Sequence, residues 1–149
     1  MDIKILNKKE TKRVLDIINE QFGSELEYDK AFFLNKDDVY MVNRECFDRQ
    51  QPSWRVNSLG LYLGEMRNNQ FRPSIEGSQI IGKTAKLNIM ELSQEQLYDW
   101  ISGTSFEIDT PDTGFQIIKY NNNFYGSGKI KNQRMLNFVP KERRISTVA

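Results

Sequence analysis

Apolar residues along the chain recur with two distinct periods. Ile3 and Ile5 alternate with polar residues, the period of a short strand, and Val14, Leu15, Ile17, Ile18 and Phe22 then form a helical stripe. Asn7 is a good cap, Glu10 stands three residues later in capping-box position, and Gly23 ends the helix. Ala31–Leu34 and Val39–Val42 read as two strands joined across Asn35-Lys36-Asp37-Asp38, a turn-rich tetrapeptide.

Residues 43–56 have no clear period and include Pro52, which suggests a linker near 45–56. Beyond it, Leu59, Leu61 and Leu63 alternate with Gly60, Tyr62 and Gly64, predicting a strand with little side chain on one face. Pro73 breaks the pattern and Ser74 caps a short helix through Ile80 and Ile81. Leu87 and Ile89 suggest another strand. Ser93 with Gln96 is a second capping box, followed by Leu97, Trp100 and Ile101 and closed by Gly103. Three further strands are expected at Phe115–Tyr120, Phe124–Ile130 and Met135–Val139, joined by the triplet Asn121-Asn122-Asn123 and by Lys131–Arg134. The pattern predicts an α+β chain: a small amino-terminal α/β unit over 1–50, then a mixed β barrel with short flanking helices over 57–149.

Composition narrows the chemistry. The 149 residues contain no histidine and one cysteine, Cys46. That removes the commonest general base near neutral pH, the Ser-His and Cys-His catalytic pairs, an intramolecular disulfide and multi-cysteine metal clusters. Cys46 reads as a small buried apolar residue rather than a reactive thiol. The amino terminus has no apolar core of signal-peptide length, and no apolar run approaches the ~20 residues that span a bilayer. The expected location is the cytoplasm, with no membrane partner.

Charge is balanced overall, with 21 Lys and Arg against 20 Asp and Glu, but not along the chain. Residues 87–114 hold six acidic side chains and no basic one, whereas residues 115–149 hold seven basic side chains opposed only by Glu142. Such asymmetry describes either two solvated faces or a phosphate-binding patch with the acidic stretch turned away from it.

Gly126-Ser127-Gly128-Lys129 invites comparison with a phosphate-binding loop. Asn123 and Ile130 stand where that loop needs Gly and Ser or Thr, and the setting is strand to strand, so no nucleotide site is expected. The glycines either serve close packing or let a phosphate backbone approach beside Lys129. Asp37-Asp38 and the pair Glu25 and Glu27 read as solvated surface rather than a metal or acid–base site. Phe115, Tyr120, Phe124, Tyr125 and Phe138, interleaved with the basic residues, are expected in the barrel core more than as stacking platforms.

Leu63-Gly64-Glu65, Arg67 and Phe71-Arg72-Pro73-Ser74 form a recognisable run, continued by Gly126-x-Gly128-Lys129 and by Asn137-Phe138-Val139-Pro140-Lys141-Glu142-Arg143-Arg144. Over about 57–144 the chain resembles the PUA-like RNA-binding domain at the carboxyl end of Nol/Nop/Sun-type RNA cytosine-5 methyltransferases, also found in short free-standing archaeal proteins. Residues 1–50 resemble the domain that precedes PUA in those proteins. The family usually has Trp between the two glycines, where this chain has Ser127, and Lys before the asparagine, where it has Leu136.

The resemblance implies a PUA-like barrel that recognises structured RNA, rRNA or tRNA, in ribosome biogenesis or RNA modification. It implies no enzyme, because the two catalytic cysteines of those methyltransferases cannot be drawn from Cys46 alone, and no cofactor or metal. The expected RNA patch comprises Arg67, Arg72, Lys129, Lys131, Arg134, Lys141, Arg143 and Arg144, with Gly126 and Gly128 allowing close approach. An RNA-modifying enzyme or a ribosomal protein is a further expected partner, and DNA is not. The alternative is a protein-interaction adaptor in ribosome assembly.

Overall fold

A computed structural model describes residues 3–27, 30–42 and 60–145. The expected linker at 45–56 and Cys46 lie outside the described residues.

The first sheet is antiparallel throughout, in the order β1 (Ile3–Ile5), β2 (Ala31–Asn35), β3 (Asp38–Val42), β4 (Gly60–Arg67) and β5 (Gln70–Pro73). Between β1 and β2 runs α1 (Lys8–Phe22), begun by the expected capping box of Asn7 and Glu10 and ended at Gly23, whose φ of 58° suits a residue without Cβ. Leu15, Ile18 and Phe22 on its buried face are wholly inaccessible to solvent. The sequence reading assigns the strand at Leu59–Gly64 to the second unit, but β4 pairs with β3 and so extends the first sheet.

The expected alternation along β4 also breaks. Val39 lies opposite Gly64 and Tyr40 opposite Tyr62, so Leu63 is an extra residue in a β-bulge. The bulge sends Leu63 into the core at 1% exposure and leaves Leu61 on the surface at 37%. Gly64, at φ 151°, makes it possible: a Cβ there would meet the Arg72 carbonyl oxygen at 2.3 Å.

After β5, Ser74 caps α2 (Ile75–Gly82), accepting from the Gly77 N–H. The second sheet follows in the order β6 (Ile89–Glu91), β8 (Gly114–Tyr120), β9 (Asn123–Lys131), β10 (Arg134–Asn137) and β7 (Phe106–Glu107). Only β6 and β8 pair in parallel. Between β6 and β7 lies α3 (Gln94–Ile101), with the expected capping box of Ser93 and Gln96. A 3₁₀ turn at Lys141–Arg143 follows β10. This second sheet curls into a half-barrel, so the chain has the α+β fold with a PUA-like barrel that the sequence leads one to expect.

Two apolar cores result. One gathers Leu15, Phe22, Phe32, Leu63, Phe71, Ile81 and Ile117; the other gathers Leu92, Trp100, Ile118, Ile130, Met135 and Val139. Ile117 and Ile118 are neighbours on β8, yet they belong to different cores. The two sheets are further tied where the buried Ser127 hydroxyl donates to the Pro73 carbonyl at 2.7 Å.

Candidate nucleic-acid interface

One face of the second sheet is closed; the other is buried at Ile117 and Ser127, against the first sheet, and carries cations beyond them. Directly opposed residues of an antiparallel pair share a face. Phe115, Lys129 and Leu136 are opposed across β8, β9 and β10. Lys131, Arg134 and Glu107 are opposed at the next step, across β9, β10 and β7. Lys129 and Lys131 are two residues apart on one strand, about 7 Å, and therefore project together. The closed face carries Gly128 and the buried Gln116 and Met135.

Arg67 and Arg72 reach the same surface from the first sheet, although about sixty residues separate them from Lys129 in the chain. With Glu65, Phe115 and Phe138 these three cations line a cavity of about 270 Å³. The Glu65 carboxylate lies 3.5 Å from Arg67 Nε and 3.5 Å from Arg72 Nη2, and Asp37 also approaches Arg67 Nε at 3.5 Å. The Arg72 guanidinium sits over the Phe138 ring at 5.0 Å, and Lys129 Nζ over the Phe115 ring at 5.4 Å. The two rings are 6.3 Å apart and tilted by 52°. Arg72, Phe138, Phe115 and Lys129 thus form a chain of contacts in which two rings are flanked by a cation at each end.

A second cavity, of about 300 Å³, adjoins the first and shares Arg72 and Phe138 with it. Tyr62, Trp100, Gly126 and Arg143 also line it. Arg143 Nη1 donates to Glu76 at 2.9 Å, joining the 3₁₀ turn to α2. The Tyr62 hydroxyl donates to Asp38 at 3.1 Å; burial pushes its phenol well up from the ordinary value, and the neighbouring Asp38 carboxylate adds to the effect. Tyr62 therefore stays a neutral donor at physiological pH.

The other expected site residues lie elsewhere. Lys141 is exposed on the 3₁₀ turn. Arg144 donates from Nε to the Val139 carbonyl at 3.1 Å and lies over Gly103, where a Cβ would approach that nitrogen at 2.3 Å. Gly128 is buried: a Cβ there would meet Trp100 at 2.9 Å and the Leu136 carbonyl oxygen at 2.8 Å, so its bareness makes room for the tryptophan. Gly126 is also buried, at φ 95°, and its N–H donates to the Ser78 hydroxyl at 2.8 Å. Gly128 thus gives room for packing, and Gly126 also lines the second cavity. Phe115 and Phe138 depart from the core position expected of them. No local signal marks them: Gly114 and Gln116 flank Phe115, and Asn137 and Val139 flank Phe138.

A larger groove, of about 850 Å³, runs along α1 and carries Lys9, Lys12 and Arg13, but it also carries Asp16 and Glu20. Among the described residues no group of three His, Cys, Asp or Glu side chains is placed to hold a metal ion, and no helix is long and apolar enough to cross a membrane.

These features, a five-stranded antiparallel sheet with its helix followed by a curled sheet with two short helices, define a pre-PUA domain joined to a PUA domain. Residues 3–75 match the family model described as NIP7/UPF0113, pre-PUA domain, and residues 87–145 match the one described as methyltransferase RsmF PUA domain. Its first part thus resembles a pre-PUA domain and its second part the PUA domain of an RNA methyltransferase. Among its relatives, the ribosomal RNA small subunit methyltransferase F of Vibrio parahaemolyticus is 21% identical over 142 residues, which cover 91% of this chain and 30% of that protein. The enzymes of the same name from Vibrio cholerae and Aliivibrio salmonicida are 22% and 23% identical, over 90% and 93% of this chain and 28% and 29% of theirs. The chain spans about 30% of the length of these curated relatives.

Proposed function

We propose that the chain binds structured RNA, rRNA or tRNA, in ribosome biogenesis or RNA modification, and acts in the cytoplasm without catalysing the modification itself. The observation that carries this reading is the convergence of Arg67 and Arg72 from one sheet with Lys129, Phe115 and Phe138 from the other, at one end of a stripe that continues through Lys131 to Arg134. Cations at strand spacing suit a run of phosphates, and exposed rings beside them suit unstacked bases. The matched relatives, named as ribosomal RNA methyltransferases, support RNA as the partner and an RNA-modifying enzyme as its companion.

Salt dependence tests the reading. Removing one cation that touches a phosphate lowers the slope of log K against log[salt] by roughly 0.7–0.9. Changing Lys129, Lys131, Arg134 and Arg143 to Ala should flatten the slope for an rRNA fragment by about two units or more. The same change at Lys8, Lys9, Lys12 and Arg13 should have less effect, because Asp16 and Glu20 share the groove of Lys9, Lys12 and Arg13. A greater flattening from the α1 set would put the RNA on the other face and overturn the assignment.

One observation favours the adaptor as a second reading. The edge strand β1 leaves Ile3 and Ile5 on the surface, a place where another chain's strand can pair.

A further inference from the structure

We infer that the cavity lined by Phe115 and Phe138 takes one unpaired base of the RNA against the exposed Phe138 ring, and that the Glu65 carboxylate selects a base with an exocyclic amino group. The inference rests on the RNA-binding reading and adds what the site reads. The cavity, about 270 Å³, suits one small planar ligand, and two of its walls are phenyl rings. Phe138 is 37% exposed, so part of its surface is open to a base. Base stacking on an aromatic side chain is sequence-tolerant, so the rings alone give no selection.

Selection comes from the acidic member of a basic site. Glu65 is placed on β4 opposite Arg72, and its side chain, 24% exposed, stands 3.5 Å from both guanidiniums. Besides pairing both arginines, this carboxylate lines the same cavity as Phe115 and Phe138. An ionised carboxylate accepts hydrogen bonds and donates none. The amino groups of cytosine N4 and adenine N6 meet that requirement. Uracil flanks its single N–H with two carbonyl oxygens, which the carboxylate repels. Arg67, Arg72 and Lys129 around the rim take the phosphates on either side of the inserted nucleotide.

The test uses the full chain and stem-loop RNAs with one common stem and a loop of uniform C, A or U, titrated by fluorescence anisotropy at fixed salt. The C and A loops should bind more tightly than the U loop by about tenfold or more, the scale of one hydrogen bond to a charged group. Glu65→Gln should bring the three affinities together within about twofold, because the amide both donates and accepts. Phe138→Leu keeps the site apolar but removes stacking, and should weaken all three loops by a similar factor. Equal binding of the three loops by the unaltered protein, or a preference that survives Glu65→Gln, overturns base selection and leaves RNA binding standing. No binding of any loop, and none of the rRNA fragment, overturns the RNA reading itself.

Discussion

Gln21 holds both backbone polar groups of Phe71. Its side-chain amide donates to the Phe71 carbonyl at 2.9 Å, and its amide oxygen accepts from the Phe71 N–H at 2.8 Å. Phe71 lies on β5, the edge strand of the first sheet, so α1 supplies the hydrogen bonds that another strand would otherwise make. Those bonds also fix the strand that presents Arg72.

Gln21→Ala should destabilise the protein by about 1–2 kcal/mol, the scale of leaving a partly buried donor and acceptor unmade. Gln21→Glu, which can still accept but no longer donates, should fall between. Urea denaturation measures both, and equal stability of all three proteins would show that the edge is satisfied by other means.

Gly128→Ala should cost about 1–3 kcal/mol, because the new methyl meets Trp100, Met135 and a backbone carbonyl inside a packed barrel. The Trp100 indole donates to the Tyr125 carbonyl at 2.7 Å, so a shift of the ring should also move its fluorescence maximum. A fully stable variant with unchanged emission contradicts the packing role assigned to this glycine.

The β9–β10 turn contains Asn132 and Gln133 at φ 53° and 59°. Positive φ at both central residues is the type I′ hairpin geometry, which favours Asn-Gly. Gln133→Gly should therefore stabilise the chain by about 0.5–1 kcal/mol, relief of left-handed strain outweighing the freer unfolded chain. A lowered melting temperature would refute this.

Glu10 gives an acid-dependent term. Its carboxylate pairs with Lys4 and accepts from the Asn7 N–H, and these bonds hold it below the ordinary value of 4.5. A depressed pKa contributes stability that is complete above the unfolded value and is lost as pH falls through the folded one. Glu10→Gln keeps an acceptor for the capping box and removes the titration. Its melting temperature should approach that of the unaltered protein below about pH 4 and lie beneath it at neutral pH. Parallel curves across that range would place the acid sensitivity elsewhere.

The helices were legible because their signals are local. Asn7 with Glu10, Ser74, and Ser93 with Gln96 each cap the helix they precede, within four residues of sequence. The asparagine-rich turns marked the hairpins for the same reason. Sheet membership was not legible, since pairing of β4 with β3 depends on register across residues far apart in the chain. The bulge at Leu63 reversed the face of Leu61 without altering the apolar alternation that had suggested it. The candidate site was legible as a set of cations, drawn from the motif and the basic tail. Its centre was not, because Phe115, Glu65 and Arg72 meet only when the two sheets stack, and a phenylalanine in a strand looks the same whichever way it turns.

The placing of Ile117 and Ile118 in separate cores bears on how the molecule comes apart. Each side chain is fully buried, and the peptide between them belongs to both halves at once. Loosening the first sheet exposes Ile117, which loads strain onto the strand that anchors Ile118. Amides at these two positions should therefore exchange with solvent deuterium only through global opening, in step with each other. Heat should melt the chain in a single cooperative transition, even though its two sheets match separate family models.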